Sequence, residues 1–298
     1  MKKWLRERVE GIDRVTKIRA EASTRAFYRL EFKNETRVAM VYPGPEPDAI
    51  ERIQHFTHLY LNHGIPVPRI YAVLEDRALL QQDLGDQRLQ TVFTRGRMAE
   101  RRYRLSRVAD ILEKLARIPP EVTLATLDPD RMHWEMDFFI QHFASRLMGL
   151  ADSRRLQARL VGLVETIDFA PGFAHRDFHC RNMMVHDGRI VLVDFQDSLR
   201  APRAYDAVSF AWDAYMNLGK LRKLFLTDLE KRGLLPGMDQ VYLTALQRNL
   251  KALGTFGFQV HSRGNKSYNR YVARTLRHVA TNPLARDMLE DSLPKLTG

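Results

Sequence analysis

Apolar positions change period part-way along this chain. Over residues 26–33, Phe27, Leu30 and Phe32 stand among polar neighbours, and Asn34-Glu35 can turn that run into a second one at 37–42. Both read as strands. Pro43-Gly44-Pro45-Glu46-Pro47 breaks the pattern. Residues 48–63 then carry Ile50, Ile53, Phe56, Leu59 and Leu61 near helical spacing, and Gly64-Ile65-Pro66-Val67-Pro68 ends that helix. Residues 69–74 and 78–82 read as two further strands separated by Glu75-Asp76. With a strand ahead of residue 20, the pattern predicts a small lobe of five short strands and one helix over residues 1–82. Asp83-Leu84-Gly85-Asp86 is the expected hinge. From Met98 onward the period is helical: Tyr103, Leu105, Val108, Ile111, Leu112 and Leu115 form one apolar stripe, and residues 134–150 and 156–167 form others. A strand hairpin interrupts the helices, which resume at Tyr205. Residues 87–298 are therefore expected as a mostly helical second lobe, and the fold class is α+β.

The interrupting stretch carries the chemistry. His175-Arg-Asp177-Phe-His179-Cys-Arg-Asn182 has the H-x-D-x-x-x-x-N spacing of a kinase catalytic loop. Two strands follow, Met183-Met184-Val185 and Arg189 to Val193, joined by Asp187-Gly188, a pair suited to a type I′ turn. The second strand ends in Asp194-Phe195-Gln196-Asp197. Folding that hairpin is expected to return Asp194 beside Asn182, so that a carboxylate and an amide carbonyl converge as hard oxygen ligands for Mg²⁺. Asp177 is then placed to accept the proton of an attacking hydroxyl. Each piece is common alone; all three in order and at matching spacing point to phosphoryl transfer.

The nucleotide end reads less directly. A phosphate loop belongs between the first two strands, at Ala20-Glu21-Ala22-Ser23-Thr24-Arg25, which has no glycine. Small side chains at Ala22 and hydroxyls at Ser23 and Thr24 can still serve phosphate. Protein kinases carry lysine in a V-A-I-K strand; this chain has Val38-Ala39-Met40-Val41, with no lysine on the strand and Met40 taken as the residue that faces the phosphates in its place. Arg25 and Arg29 are the candidate replacement cations. Adenine is expected against backbone groups near Gln82, Asp83 and Leu84, capped by Met40.

Composition sets the outer bounds. The chain has 298 residues, 45% apolar and 28% charged, as ordinary globular proteins do. One cysteine forbids an internal disulfide and fits a reducing compartment. The first residues, Met1-Lys2-Lys3-Trp4-Leu5-Arg6, contain no apolar signal core, and no apolar run approaches the roughly eighteen residues that span a bilayer. A cytoplasmic monomer without a membrane partner is the default expectation. The net charge of +11 is dominated by scattered arginines, which reads as a solvated surface and not as a nucleic-acid groove.

His175–Asn182 and Asp194–Asp197 together resemble the aminoglycoside/choline phosphotransferase superfamily. Within it, Pro202-Arg-Ala-Tyr205-Asp206, Val38–Val41, Ala22-Ser-Thr-Arg25-Ala-Phe-Tyr-Arg29 and Leu246-Gln-Arg-Asn-Leu-Lys251-Ala-Leu-Gly254-Thr-Phe256 resemble the bacterial anomeric kinases that act on N-acetylmuramate and N-acetylglucosamine in cell-wall recycling. The resemblance implies the two-lobed kinase fold, ATP and Mg²⁺ as cofactors, and a small sugar as partner. It also implies a subgroup that works without the strand lysine. Combined with the chemistry, it makes Asp177 the catalytic residue and Asn182 and Asp194 the metal ligands. His179 would touch the acceptor or brace the loop, Asp197 would bind a sugar hydroxyl or cap the next segment, and Glu135, on a helix matching the subgroup's substrate helix, would contact the sugar. His175 reads as loop scaffold, Asp206 as a brace of the catalytic loop, and Cys180 as packing. The alternatives are a same-fold kinase for an aminoglycoside, choline or homoserine, and a nucleotide-binding pseudokinase, motivated by the missing lysine.

Overall fold

The computed structural model describes residues 1–18 and 24–289. It divides into a strand-rich unit, Met1–Val92 with Met183–Gln196, and a helical unit made by the rest of the described chain. Helix α1 (Lys2–Arg8) leads into strands β1 (Arg14–Ile18), β2 (Ala26–Glu31) and β3 (Thr36–Val41), helix α2 (Pro47–Asn62), and strands β4 (Ile70–Leu74) and β5 (Ala78–Gln82). Then come helices α3 (Leu89–Arg95), α4 (Met98–Leu115), α5 (Pro129–Phe139) and α6 (Arg154–Thr166), and strand β6 (Pro171–Ala174). The hairpin is β7 (Met183–His186) and β8 (Arg189–Leu192). Strand β9 (Leu199–Pro202) precedes helices α7 (Tyr205–Ala211), α8 (Leu221–Lys231), α9 (Met238–Gly257), α10 (Asn269–Ala280) and α11 (Ala285–Leu289).

The strand-rich unit is built on one antiparallel sheet, in the order β1-β2-β3-β5-β4. Alternation sorts its side chains between two faces. Val15, Tyr28, Leu30, Ala39, Val41, Ala78 and Leu80 form a core with Leu5 of α1. Met40 pairs across the sheet with Phe27 on one side and Leu79 on the other, so these three share the opposite face. Helix α2 starts at Pro47, where a missing N–H costs nothing. It buries Ile50, Ile53, Phe56, Thr57 and Tyr60. Leu61, which the apolar pattern places in the stripe, is instead exposed. Three- and four-residue steps from Ile53 and Phe56 land on Tyr60, whose ring lies 5.3 Å from that of Phe195.

The hairpin has the expected turn, with Asp187 and Gly188 at φ +48° and +74°. Its placement differs from a boundary drawn at residues 83–86. Val185 N–H donates to Gln87 C=O at 2.7 Å, Leu192 N–H donates to Pro66 C=O at 2.9 Å, and Gln82 and His186 meet side chain to side chain at 3.3 Å. These bonds attach the hairpin to the strand-rich unit, although its sequence neighbours on both sides belong to the helical one.

In the helical unit, α5, α6 and α9 enclose a core with β6 and β9 that includes Met132, Met136, Phe139, Leu160, Leu246 and Leu250. Helix α5 starts where Asp128 accepts the Arg131 N–H at 2.8 Å ahead of Pro129. On α4 the stripe is buried from Leu105 to Leu115, but Tyr103 is exposed. Its ring packs instead beside the guanidinium groups of Arg104 and Arg107, at 5.7 and 5.3 Å. No described helix is long and apolar enough to cross a membrane.

Helices α5 and α9 approach backbone to backbone. A Cβ on Gly254 would fall 2.8 Å from Phe139 Cα, and one on Gly257 would press on the His142 carbonyl group. An exposed helical glycine gains about 1 kcal/mol when replaced by alanine. Here the sign should reverse: Gly254→Ala is expected to destabilise the chain by about 1–3 kcal/mol through overpacking. Urea unfolding checks this, and a stabilised variant would contradict the close approach.

Candidate active site

The helical unit presents the catalytic loop. Strand β6 delivers the chain to His175 and Arg176, and their N–H groups donate to the two carboxylate oxygens of Asp206 at 2.6 and 3.1 Å. Arg176 has φ +75°, an uncommon conformation for a side-chain-bearing residue, and the Asp206 bonds hold it there. Further along, Asp213 accepts the N–H of Cys180 at 2.8 Å and that of Tyr215 at 2.7 Å, one on each oxygen. The Asp177 carbonyl accepts both the His179 N–H and the Asn182 amide, each at 3.0 Å. The Asn182 side-chain nitrogen is thereby turned into the loop. Two buried carboxylates and one amide thus fix a segment with little regular structure. Cys180 is buried, and burial pushes its thiol well above the ordinary range, which suits packing and not nucleophilic chemistry.

The Asp177 carboxylate faces helix α9. Arg248 Nη2 lies 3.9 Å and Lys251 Nζ 4.0 Å from its Oδ1. Burial alone would raise this carboxyl; Lys251 and Arg248 outweigh burial and hold it well below the usual carboxylate range. Asp177 is therefore ionised at any working pH. The surrounding recess is lined by His179, Trp212, Tyr215, Asn249, Thr255 and Phe256, among others. The His179 ring meets the edge of Tyr215 at 5.0 Å, and burial lowers its pKa, favouring the neutral imidazole. Glu135 is 2% exposed, accepts a hydrogen bond from Gln247 at 2.9 Å and is not among the residues lining this recess. Asp197 is exposed, in the turn before β9.

The strand-rich unit holds the remaining predicted residues. Asp194 ends the hairpin at φ +64°, and its Oδ1 receives Arg25 Nη2 at 2.8 Å and Gln196 Nε2 at 2.9 Å. The same Arg25 reaches Met40 Sδ at 3.6 Å and lies 6.0 Å over the Phe27 ring. Arg29 is committed elsewhere: it grips Asp83 at 2.6 and 3.0 Å and Asp86 at 3.0 and 3.1 Å. The structure thus separates the two candidate cations, with Arg25 beside Met40 and Asp194 and Arg29 anchoring the segment after β5. Gln82 is engaged with His186, Leu84 is buried, and Thr24 is exposed. Ala22 and Ser23 lie outside the described residues. Among those described, no cluster of three or more His, Cys, Asp or Glu could cage a metal.

Sequence reasoning missed Arg248 and Lys251 as site residues. The signal was present: Gln247, Arg248, Asn249 and Lys251 are polar residues in the middle of a helix otherwise made of Leu246, Leu250 and Leu253.

The profile of the phosphotransferase enzyme family matches residues 14–261. The chain is 26% identical to an N-acetylmuramate/N-acetylglucosamine kinase of Pseudomonas aeruginosa, over 91% of this chain and 84% of that protein. It is also 26% identical to a protein of the same name from Neisseria meningitidis serogroup B, over 87% and 83%. Among solved structures it shares its fold with a thermostable mutant of the aminoglycoside phosphotransferase APH(4)-Ia (TM-score 0.65, 15% identity, 94% of this chain and 100% of that one). It shares it too with the ethanolamine kinase of Plasmodium vivax (TM-score 0.62, 15% identity, 96% and 87%). The fold is therefore protein-kinase-like.

The Asp206 brace has a pH signature. Burial raises its carboxyl from 3.8 to about 7, against the two backbone N–H groups that favour ionisation. The native chain holds a proton that the unfolded chain releases near pH 4. The resulting stabilisation is full below pH 4, declines as pH rises and is lost above about 7. Wild-type stability relative to Asp206→Asn should accordingly shrink between pH 4 and 7. Urea midpoints of both proteins across that range check it, and a difference that grows with pH would contradict a protonated Asp206.

Proposed function

The chain belongs to the phosphotransferase enzyme family, and from that premise we propose that it transfers the γ-phosphate of ATP to the anomeric hydroxyl of N-acetylmuramate or N-acetylglucosamine. The observation that carries this reading is the Asp177 carboxylate, held on a cross-braced loop, faced by Arg248 and Lys251 at 3.9 and 4.0 Å and open to a recess lined by polar and aromatic side chains. Similarity over about nine-tenths of the chain to two kinases of that name supports this choice of acceptor.

In the proposed reaction the acceptor oxygen attacks the γ-phosphorus as the bond from that phosphorus to the bridging oxygen breaks. ADP leaves and the hydroxyl proton passes to Asp177. The two flanking cations make Asp177 a weak base. Its contribution is to orient the hydroxyl and to accept the proton late, as a loose transition state requires. His179, neutral at the edge of the recess, and Asp197 are proposed acceptor contacts. Glu135 is proposed to act on the acceptor side through Gln247 and α9.

Mg²⁺, when bound, screens the charge shared by the β- and γ-phosphates, and Asn182 and Asp194 are its proposed ligands on the spacing of the loop. Thr24 and Arg25 are proposed at the phosphates, with Ala22 and Ser23 as their sequence neighbours. Arg25 takes the part of the missing lysine: its guanidinium lies beside Met40, on the sheet face where adenine is proposed to pack near Gln82, Asp83 and Leu84. Arg29 acts indirectly, by holding Asp83.

Two experiments test the reading. Phosphorus NMR of the protein with MgATP and each N-acetyl sugar should show a new sugar phosphate; a signal only with an aminoglycoside or choline would replace the acceptor, and none with any alcohol would favour a pseudokinase. Asp177→Asn should lose at least about a hundredfold in kcat, within the range of general-base effects, while MgATP affinity by calorimetry stays within a few-fold. Equal losses in both would make Asp177 structural.

A further inference from the structure

Helix α9 turns two partly buried cations, Arg248 and Lys251, toward the recess, and among the described residues Lys251 donates no hydrogen bond. The Lys251 side chain is 18% exposed, and its ammonium lies 4.0 Å from Asp177 Oδ1, beyond hydrogen-bond reach. Among the described residues no other acceptor meets it. Arg248 uses Nε on Ser209 Oγ at 3.1 Å, and its Nη2 is also too far from Asp177, at 3.9 Å, to donate well. The second carboxylate on the recess, Asp213, is turned to the backbone N–H groups of Cys180 and Tyr215 and makes no ion pair with either cation among the described residues. Glu135, deeper in the same unit, is engaged by Gln247.

Holding a partly buried ammonium at the wall of a recess with no protein acceptor costs free energy. Burial and the neighbouring Arg248 lower the pKa of Lys251, against the pull of Asp177. The cost is relieved if the bound acceptor brings its own anionic oxygens. The lining continues along α9 past Lys251 to Thr255 and Phe256 and is walled by Trp212 and Tyr215, so a sugar ring and a substituent have surfaces to meet within the helical unit alone.

We infer that Lys251, with Arg248, is a specificity-determining pair that binds an anionic group carried by the acceptor itself, so that the enzyme prefers a carboxylate-bearing amino sugar to its neutral counterpart. The inference rests on the amino-sugar reading above and sharpens it. Of the two sugars in question, N-acetylmuramate has a lactyl carboxylate and N-acetylglucosamine has none. The same pair disfavours cationic acceptors such as choline or an aminoglycoside.

The test is steady-state kinetics with the two sugars at fixed MgATP. Wild-type enzyme is expected to show the higher kcat/KM for N-acetylmuramate, mainly through a lower KM. Hydrogen bonds to charged groups contribute about 1.5–3 kcal/mol, so Lys251→Met should cut the ratio of the two kcat/KM values by about tenfold or more. Lys251→Arg should restore part of that ratio. A wild-type enzyme with no preference for the acid overturns the inference without needing any variant to fold. An unchanged ratio in Lys251→Met, with both sugars slowed alike, also overturns it and assigns Lys251 to the transferring phosphoryl group. Failure of wild-type enzyme to phosphorylate either sugar overturns the amino-sugar reading itself.

Discussion

One buried acid, Asp206, holds the turn that carries Asp177, the proposed catalytic residue. It is placed at the start of α7 and takes the two consecutive N–H groups of His175 and Arg176. Without those acceptors the left-handed Arg176 would leave two buried donors unmet, and the chain would have no reason to keep that conformation. Everything downstream inherits the geometry: the Asp177 carbonyl that receives Asn182 and His179, and the Asp177 carboxylate that meets α9. Asp213 repeats the device at the far end of the loop, so the segment is pinned at both ends by side chains from the α7 region.

A loop fixed in this way suits a reaction in which the protein contributes positioning more than covalent chemistry. Arg248 and Lys251 keep Asp177 ionised and centred without clamping it, since both stand at ion-pair and not hydrogen-bond distance. A tight, bidentate pairing would have occupied the oxygens that a hydroxyl needs. The contrast with Arg29 is instructive, because that arginine is fully engaged by Asp83 and Asp86 and serves to fasten the chain after β5. Two arginines four residues apart on one stretch of chain therefore have different employment, one as an anchor and one, Arg25, beside Met40 and Asp194.

The close approach of α5 and α9 connects packing to this site. Gly254 and Gly257 let the α9 backbone lie against Phe139 and His142, and Arg248 and Lys251 precede them on the same helix. The depth at which α9 seats is thus set by the two glycines, while Arg248 and Lys251, whose roles are proposed above, are carried along by the helix.

Much of this was legible in the chain itself. The bracing role of Asp206 was implied by the family resemblance; the loop from His175 to Asn182, the Asp187-Gly188 turn and the four strands around residues 26–82 follow from local spacing and from conformations that few residues adopt. Local sequence determines such features because their interactions run between near neighbours or along one strand or helix. It did not determine that the hairpin bonds to the strand-rich unit, since that depends on backbone groups at Pro66 and Gln87. It did not decide between Arg25 and Arg29, or that Tyr60 and not Leu61 is buried. Nor did it connect Asp177 with Arg248 and Lys251, some seventy residues away. Those outcomes rest on which buried charges and donors find partners once distant segments pack, and only the tertiary structure supplies the partners.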